Sequence, residues 1–291
     1  MTDTAPALYR MPMGDSAFLA FHDGYVARDL PAGFIRNASD AETAQAMQEA
    51  GMPAGKLVLS FTVFALEQGG RLTLFDAGFG ENGPPTAGRL AAALAAGGYA
   101  PADVDRVLVS HFHGDHILGL IRRDGTPSYP DAKVLVPTPE RDFWMDDARM
   151  AAAPDGLRPT FEAARRVLGA LGTRVGTFGW GDEPVPGVRA LQLDGHTPGM
   201  TGFDITAGGE RVLYVADVSN TPAVFARHPD WQAGFDIDGP RATETRTRLF
   251  AEAAAGHWRL AFYHAPFPAI GTLAPVGDRY AWCPRIWGAE G

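Results

Sequence analysis

The stretch Val104-Asp105-Arg106-Val107-Leu108-Val109-Ser110-His111-Phe112-His113-Gly114-Asp115-His116 decides the reading of this chain. Its first seven residues are apolar and β-branched enough to predict a buried strand over 104–110. The strand delivers the chain into three imidazoles and a carboxylate within six residues, a set that no ordinary apolar core accommodates. Zinc and similar divalent ions take imidazole nitrogen and carboxylate oxygen as ligands. Gly114 divides the set into His111 and His113 at the mouth of the strand and Asp115 and His116 beyond a turn, which points to two ions rather than one.

Later strands end in the same way. His196 follows Leu191-Gln192-Leu193-Asp194-Gly195, Asp217 follows Leu213-Tyr214-Val215-Ala216, and His264 follows Ala261-Phe262-Tyr263. Strand ends on one edge of a sheet converge, so ligands distant in sequence can meet there on rigid supports. An earlier strand, 71–75, ends in Asp76-Ala77-Gly78. The remaining histidines, His22, His228 and His257, stand alone and read as core or surface residues.

Around these motifs the pattern predicts a strand at 16–22 running into a tight turn at Asp23-Gly24, and a helix at 40–50 stopped by Gly51. Strands at 57–66 and 71–75 form a hairpin through Gly69-Gly70, and a helix covers about 86–96. Between 139 and 171 the pattern is helical and irregular, as expected of an insertion over one side of the site. Strands follow at 188–193 and 211–215, then a helix at 241–255 and a late strand at 260–263.

With 291 residues, 46% hydrophobic and 20% charged, the chain reads as one large globular domain over 1–291. A formal charge of -9 leaves no basic face for a phosphate backbone, which excludes nucleic acid as partner or substrate and leaves small molecules. The single cysteine, Cys283, allows no intrachain disulfide and reads as a small buried side chain. The first ten residues carry no apolar stretch of signal-peptide length, and the apolar run 57–66, which contains Ser60 and Thr62, is too short to span a bilayer. Cytoplasmic residence without membrane contact is the expectation.

With its ligands at successive strand ends, the chain resembles the metallo-β-lactamase superfamily. The resemblance implies an α/β fold, a four-layer αββα sandwich with a metal site at one edge of its two sheets. It also implies two divalent metal ions per chain, zinc first and manganese, iron or cobalt as substitutes. His111, His113 and His196 would hold one, Asp115, His116 and His264 the other, and Asp217 would bridge them with a hydroxide. Asp76 matches the superfamily's early aspartate, which supports the ligands from behind, and Asp115 and Asp217 are the candidates to move the proton. Tyr9-Arg10-Met11, His196-Thr197-Pro198-Gly199, Pro229-Asp230-Trp231, Phe235-Asp236-Ile237-Asp238 and His264-Ala265-Pro266-Phe267-Pro268 are similar to phrases of the branch that contains methyl parathion hydrolase and related lactonases. That branch implies a homodimer acting on small lactones, carboxylic esters or organophosphate triesters. Where related lactonases place a tyrosine, and organophosphate hydrolases a histidine, this chain has Asn220, whose amide donates a hydrogen bond but is no acid. Phe79 and Phe112, beside the metal-site turns, are the expected pocket walls. The competing readings are a glyoxalase-type thioesterase and a mononuclear iron sulfur dioxygenase.

Overall fold

The computed structural model describes residues 8–285; most of the segment read for a signal peptide, residues 1–7, lies outside them. Thirteen strands among the described residues form two mixed sheets. The first consists of β1 (Leu8–Met13), β2 (Ser16–Asp29), β3 (Lys56–Gln68), β4 (Arg71–Phe75), β5 (Val104–Leu108), β6 (Lys133–Pro137) and β7 (Val175–Phe178), side by side in chain order. Its strands are antiparallel as far as β4 and parallel from there. The second holds β8 (Val188–Gln192), β9 (Thr201–Ala207), β10 (Glu210–Tyr214), β11 (Leu260–Ala261), β12 (Ile270–Val276) and β13 (Arg279–Pro284), antiparallel except where β10 meets β11.

The sheets pack face to face through buried aromatic rings. Phe64 of β3 meets Tyr214 of β10 at 5.4 Å between centroids, while Phe75 of β4 meets Phe203 of β9 at 5.4 Å and Tyr214 at 5.9 Å. The helix Leu90–Ala96 covers β1 and β2 from outside, and the helix Gly239–Ala255 covers β12. Strands covered on both faces carry unbroken apolar runs rather than alternation, as in the wholly buried Phe61–Leu66 of β3. This is the expected αββα sandwich.

Several local expectations change. Asp23-Gly24 makes no turn: β2 runs through it with a register shift against β3 between His22 and Gly24. A Cβ on Gly24 would lie 2.2 Å from the carbonyl oxygen of Thr86, so only glycine permits the approach. Because Thr86 gives its carbonyl to the Tyr25 N–H, the following helix begins at Leu90 rather than at 86. The buried Asp23 carboxylate fastens this segment, accepting the N–H groups of Phe79 (3.1 Å), Gly88 (3.3 Å) and Leu90 (2.8 Å). The late strand β11 has two residues, since Tyr263 turns its N–H to Ala216. Cys283 is exposed on β13, the edge strand, and not buried.

Three helices occupy the stretch between β6 and β7: Thr138–Trp144, Asp147–Ala152 and Arg158–Leu171. The third turns Phe161, Ala164, Val167 and Leu171 inward at helical spacing. No helix among the described residues is long and apolar enough to cross a membrane.

Candidate metal centre

At one edge of the sandwich the strand ends of both sheets meet. The first sheet contributes Asp76 after β4 and His111 after β5, with His113 just before, and Asp115 and His116 on, the short helical turn Gly114–Ile117. From the second sheet come His196 after β8, Asp217 after β10 and His264 after β11. Asp76 (φ 65°) and Ala216 (φ 45°), the latter just before Asp217, both take the left-handed backbone region, and Asp76 and Asp217 approach opposite edges of the His116 ring. All seven sequence-derived ligands fall into two groups, His111, His113, His196 and Asp217 in one and Asp115, His116 and His264 in the other, with the donor atoms of each group within 4.8 Å of one another. His22, His228 and His257 belong to neither.

Four imidazoles are fixed from behind through Nδ1. His116 donates to Asp76 Oδ2 (2.8 Å), His196 to Asp236 Oδ1 (2.9 Å) and His264 to the Ser60 carbonyl (3.0 Å). Ser110 gives both its N–H (2.6 Å) and its hydroxyl (2.7 Å) to Asp76, so its oxygen accepts from His111 Nδ1 at 3.0 Å. Each ring therefore turns its Nε2 to the centre. Tyr214 donates its hydroxyl to Asp76, and the buried Arg246 reaches Asp236 at 3.3 Å, so these two carboxylates are themselves held.

Does this arrangement fit metal ions? His111 Nε2 lies 3.1 Å and His196 Nε2 2.9 Å from His113 Nδ1, and one proton on His113 can serve only one of them. His116 Nε2 and Asp217 Oδ1 are buried without any hydrogen-bond partner, although they stand 3.4 Å apart. Orphaned buried acceptors at one point are costly unless a cation fills it. Burial, reinforced by the neighbouring imidazoles, holds His111 and His113 far below the usual imidazole range, in the neutral form a metal requires. Burial opposes charge at His116 too, but Asp115, Asp217 and Asp76 outweigh it and raise its pKa well above the ordinary value. Asp217, although buried, is held well below the carboxylate range by His264 and His116. The carboxylates thus call for positive charge at the point the neutral imidazoles face, and the donor set fits divalent metal.

Asp217 spans the two groups. Its Oδ2 is 2.9 Å from His264 Nε2 and 3.4 Å from His196 Nε2, while its Oδ1 faces His116. Asn220 donates its amide to Asp217 Oδ2 at 3.2 Å. In front of the centre opens a cavity of about 380 Å³ whose floor includes His113, Asp115, His196, Asp217, Asn220 and His264. Val26, Leu59, Phe61, Phe79 and Phe235 form apolar walls, and Gly156, Leu157 and Thr160 close one side from the helical stretch. Phe79 is therefore placed at the cavity. Phe112 is not: it is wholly buried and faces the core, because its N–H is drawn back onto Glu140.

Glu140 and Asp236 carry structural roles at the site that the sequence did not assign, although Asp236 stands in the quoted phrase Phe235-Asp236-Ile237-Asp238. Glu140, fully buried, accepts the Phe112 N–H (2.9 Å), the Trp144 indole N–H (2.7 Å), the Thr197 hydroxyl (2.8 Å) and the Gly199 N–H (2.8 Å). One carboxylate thus joins the loop of His111 and His113 to that of His196. Thr197-Pro198-Gly199, which reads as a plain turn, is shaped to fit it: a Cβ on Gly199 would sit 2.1 Å from the Glu140 nitrogen. Within the sequence the only hint was an acid in a helical run beside Trp144.

Comparison with known proteins adds three findings. The family described as the metallo-beta-lactamase superfamily matches residues 59–264. Among solved structures, AidC, described as a dizinc quorum-quenching lactonase in complex with its product, superposes with a TM-score of 0.91 at 23% identity, covering 99% of this chain and 100% of its own. AbOPH, described as a hydrolase in the β-lactamase superfamily, gives 0.90 at 26% identity over the same shares, and a probable metal-dependent hydrolase from Staphylococcus aureus gives 0.78 at 20% over 94% and 99%. No curated protein matches in sequence.

Proposed function

The chain belongs to the metallo-β-lactamase superfamily and is a metal-dependent hydrolase; from that premise we propose a dinuclear enzyme that opens small lactones or cleaves carboxylic esters and organophosphate triesters. The observation that carries the reading is the joint opening of both ligand groups, through His113, Asp115, Asp217 and His264, onto one small apolar cavity. His111, His113 and His196 would hold one ion and Asp115, His116 and His264 the other, with Asp217 between them. When bound, the pair supplies an activated water and polarises the substrate oxygen, so no serine or cysteine nucleophile is needed.

The chain's own residues do the rest. Phe61, Phe79, Leu59 and Val26 exclude water and take the apolar part of a substrate. Asn220 faces the cavity and offers an amide N–H to the substrate oxygen, without a proton to give. Asp217 is buried among His116, His196 and His264, whereas Asp115, 3.4 Å from His264 Nε2 and 3.5 Å from His116 Nε2, is partly open to the cavity. Asp115 is thus the better placed of the two carboxylates to take up a proton and return it to the leaving alkoxide. Product-bound AidC, a lactonase of the same fold, supports the lactone arm of the proposal.

The test joins metal analysis to a panel of an acyl-homoserine lactone, an aryl ester, a phosphotriester and a glutathione thioester. Two ions per chain with turnover of one of the first three is the expected result, lost in His113→Ala and in Asp217→Asn. One iron per chain without hydrolysis, or turnover confined to the thioester, overturns the proposal.

A further inference from the structure

Resting on the reading of this cavity as the substrate site, we propose that Arg28 selects substrates bearing a carboxylate, or another oxyanion, at the end remote from the bond that breaks. Strand alternation places Val26 and Arg28 on the same face of β2, and both line the cavity. Arg28 is the only lysine or arginine among the described lining residues, and it enters no ion pair there. Its neighbour Asp29 is engaged elsewhere, by Lys56 at 2.6 Å. The guanidinium carbon lies 5.1 Å from the Phe235 ring centroid, so that the exposed Arg28 presents a planar donor group beside that ring at the cavity. Such a group suits two-point recognition of a carboxylate.

The spacing fits an extended substrate. The Phe61 ring lies 5.4 Å from that of His264, and Phe61 pairs with Gly24 in the sheet. Arg28 is four residues farther along β2, roughly 13 Å at about 3.3 Å per residue. Leu59 and Val26, which pair with each other, lie between and offer only apolar surface. The cavity thus runs from a polar centre through an apolar section to a lone cation, in a chain with 34 acidic and 25 basic residues.

The test is calorimetric titration of the metal-loaded protein with decanoate and with decanedioate, which share one carboxylate and differ in the second. The diacid is expected to bind up to about fivefold more tightly at low salt, as for an exposed ion pair, with the advantage shrinking as salt rises. Arg28→Gln should abolish the preference and Arg28→Lys retain part of it. Equal affinity for the two acids, or a preference that survives Arg28→Gln, overturns the proposal. Turnover of the matched aryl esters, measured alongside, reports on the hydrolase reading separately: absent turnover of both counts against that reading, while the binding difference still decides the role of Arg28.

Discussion

Replacing Glu140 tests how the two halves of the centre are joined. Its Oε1 receives the N–H of Phe112 and the indole of Trp144, and its Oε2 the hydroxyl of Thr197 and the N–H of Gly199, all four donors being buried. Glu140→Gln keeps the volume but turns an NH2 group toward two of these donors. Leaving a buried donor unsatisfied costs about 1 to 3 kcal/mol. The Thr197 hydroxyl can rotate to accept, and removing a charge whose burial pushes its pKa up relieves part of the loss. The net expectation is about 2 to 3 kcal/mol for Glu140→Gln and about 4 kcal/mol for Glu140→Ala, which strands all four donors. Urea unfolding of the metal-loaded proteins at neutral pH measures the loss. Competition with a chelator should show metal held roughly 10- to 100-fold less tightly, the usual effect of removing a group that orients ligands. If Glu140→Gln unfolds within about 1 kcal/mol of the parent, the carboxylate does not carry these four bonds and the reasoning fails.

Two further outcomes follow from the same structure. Burial pushes the Asp23 carboxyl from the usual 3.8 up to about 6; a raised value means the fold prefers the neutral acid, so this stabilisation is complete below about pH 4 and is lost as pH rises through 6. The stability of the metal-free parent relative to Asp23→Asn should accordingly fall by about 2 to 2.5 kcal/mol between pH 4 and pH 7, and a difference flat with pH refutes the assignment. Stripping the metal should lower the melting temperature by roughly 10 °C if the proposed two ions bind, since two ions at a hundredfold excess over Kd would contribute about 5 kcal/mol; calorimetric scans that coincide with and without chelator would exclude the centre as a metal site.

The seven candidate ligands were legible because they lie at or just beyond strand ends, and a strand announces itself locally by its apolar run. Asp76 was legible for the same reason. Glu140, Asp236 and Asp23 were not, because what gives each its role is a partner far away in sequence: Glu140 reaches Gly199, Asp236 reaches His196, and Asp23 reaches Leu90. No local pattern separates such an acid from one on the surface. Asp23-Gly24 misled more actively, since that dipeptide is a strong hairpin signal, and only the close passage of Thr86 converts it into a bulge. Phe112 was expected at the pocket by its place between two ligands, but residues adjacent on an extended segment point in opposite directions. With His111 and His113 turned to the centre, Phe112 must face away. The strands β1, β6, β7, β9, β12 and β13 were not distinguished from loops.

The first sheet is made entirely of residues 8–178 and the second of residues 188–284. The chain crosses between them once, through the segment 179–187. Each ligand group nevertheless draws on both sides of that crossing: His111 and His113 are joined by His196 and Asp217, and Asp115 and His116 by His264. Neither half owns a complete set, so an ion held by either group would clasp one half of the polypeptide to the other. A chain severed near Gly181 would yield two fragments whose reassociation depends on divalent metal, with the dissociation constant of the pair read as a function of free metal concentration.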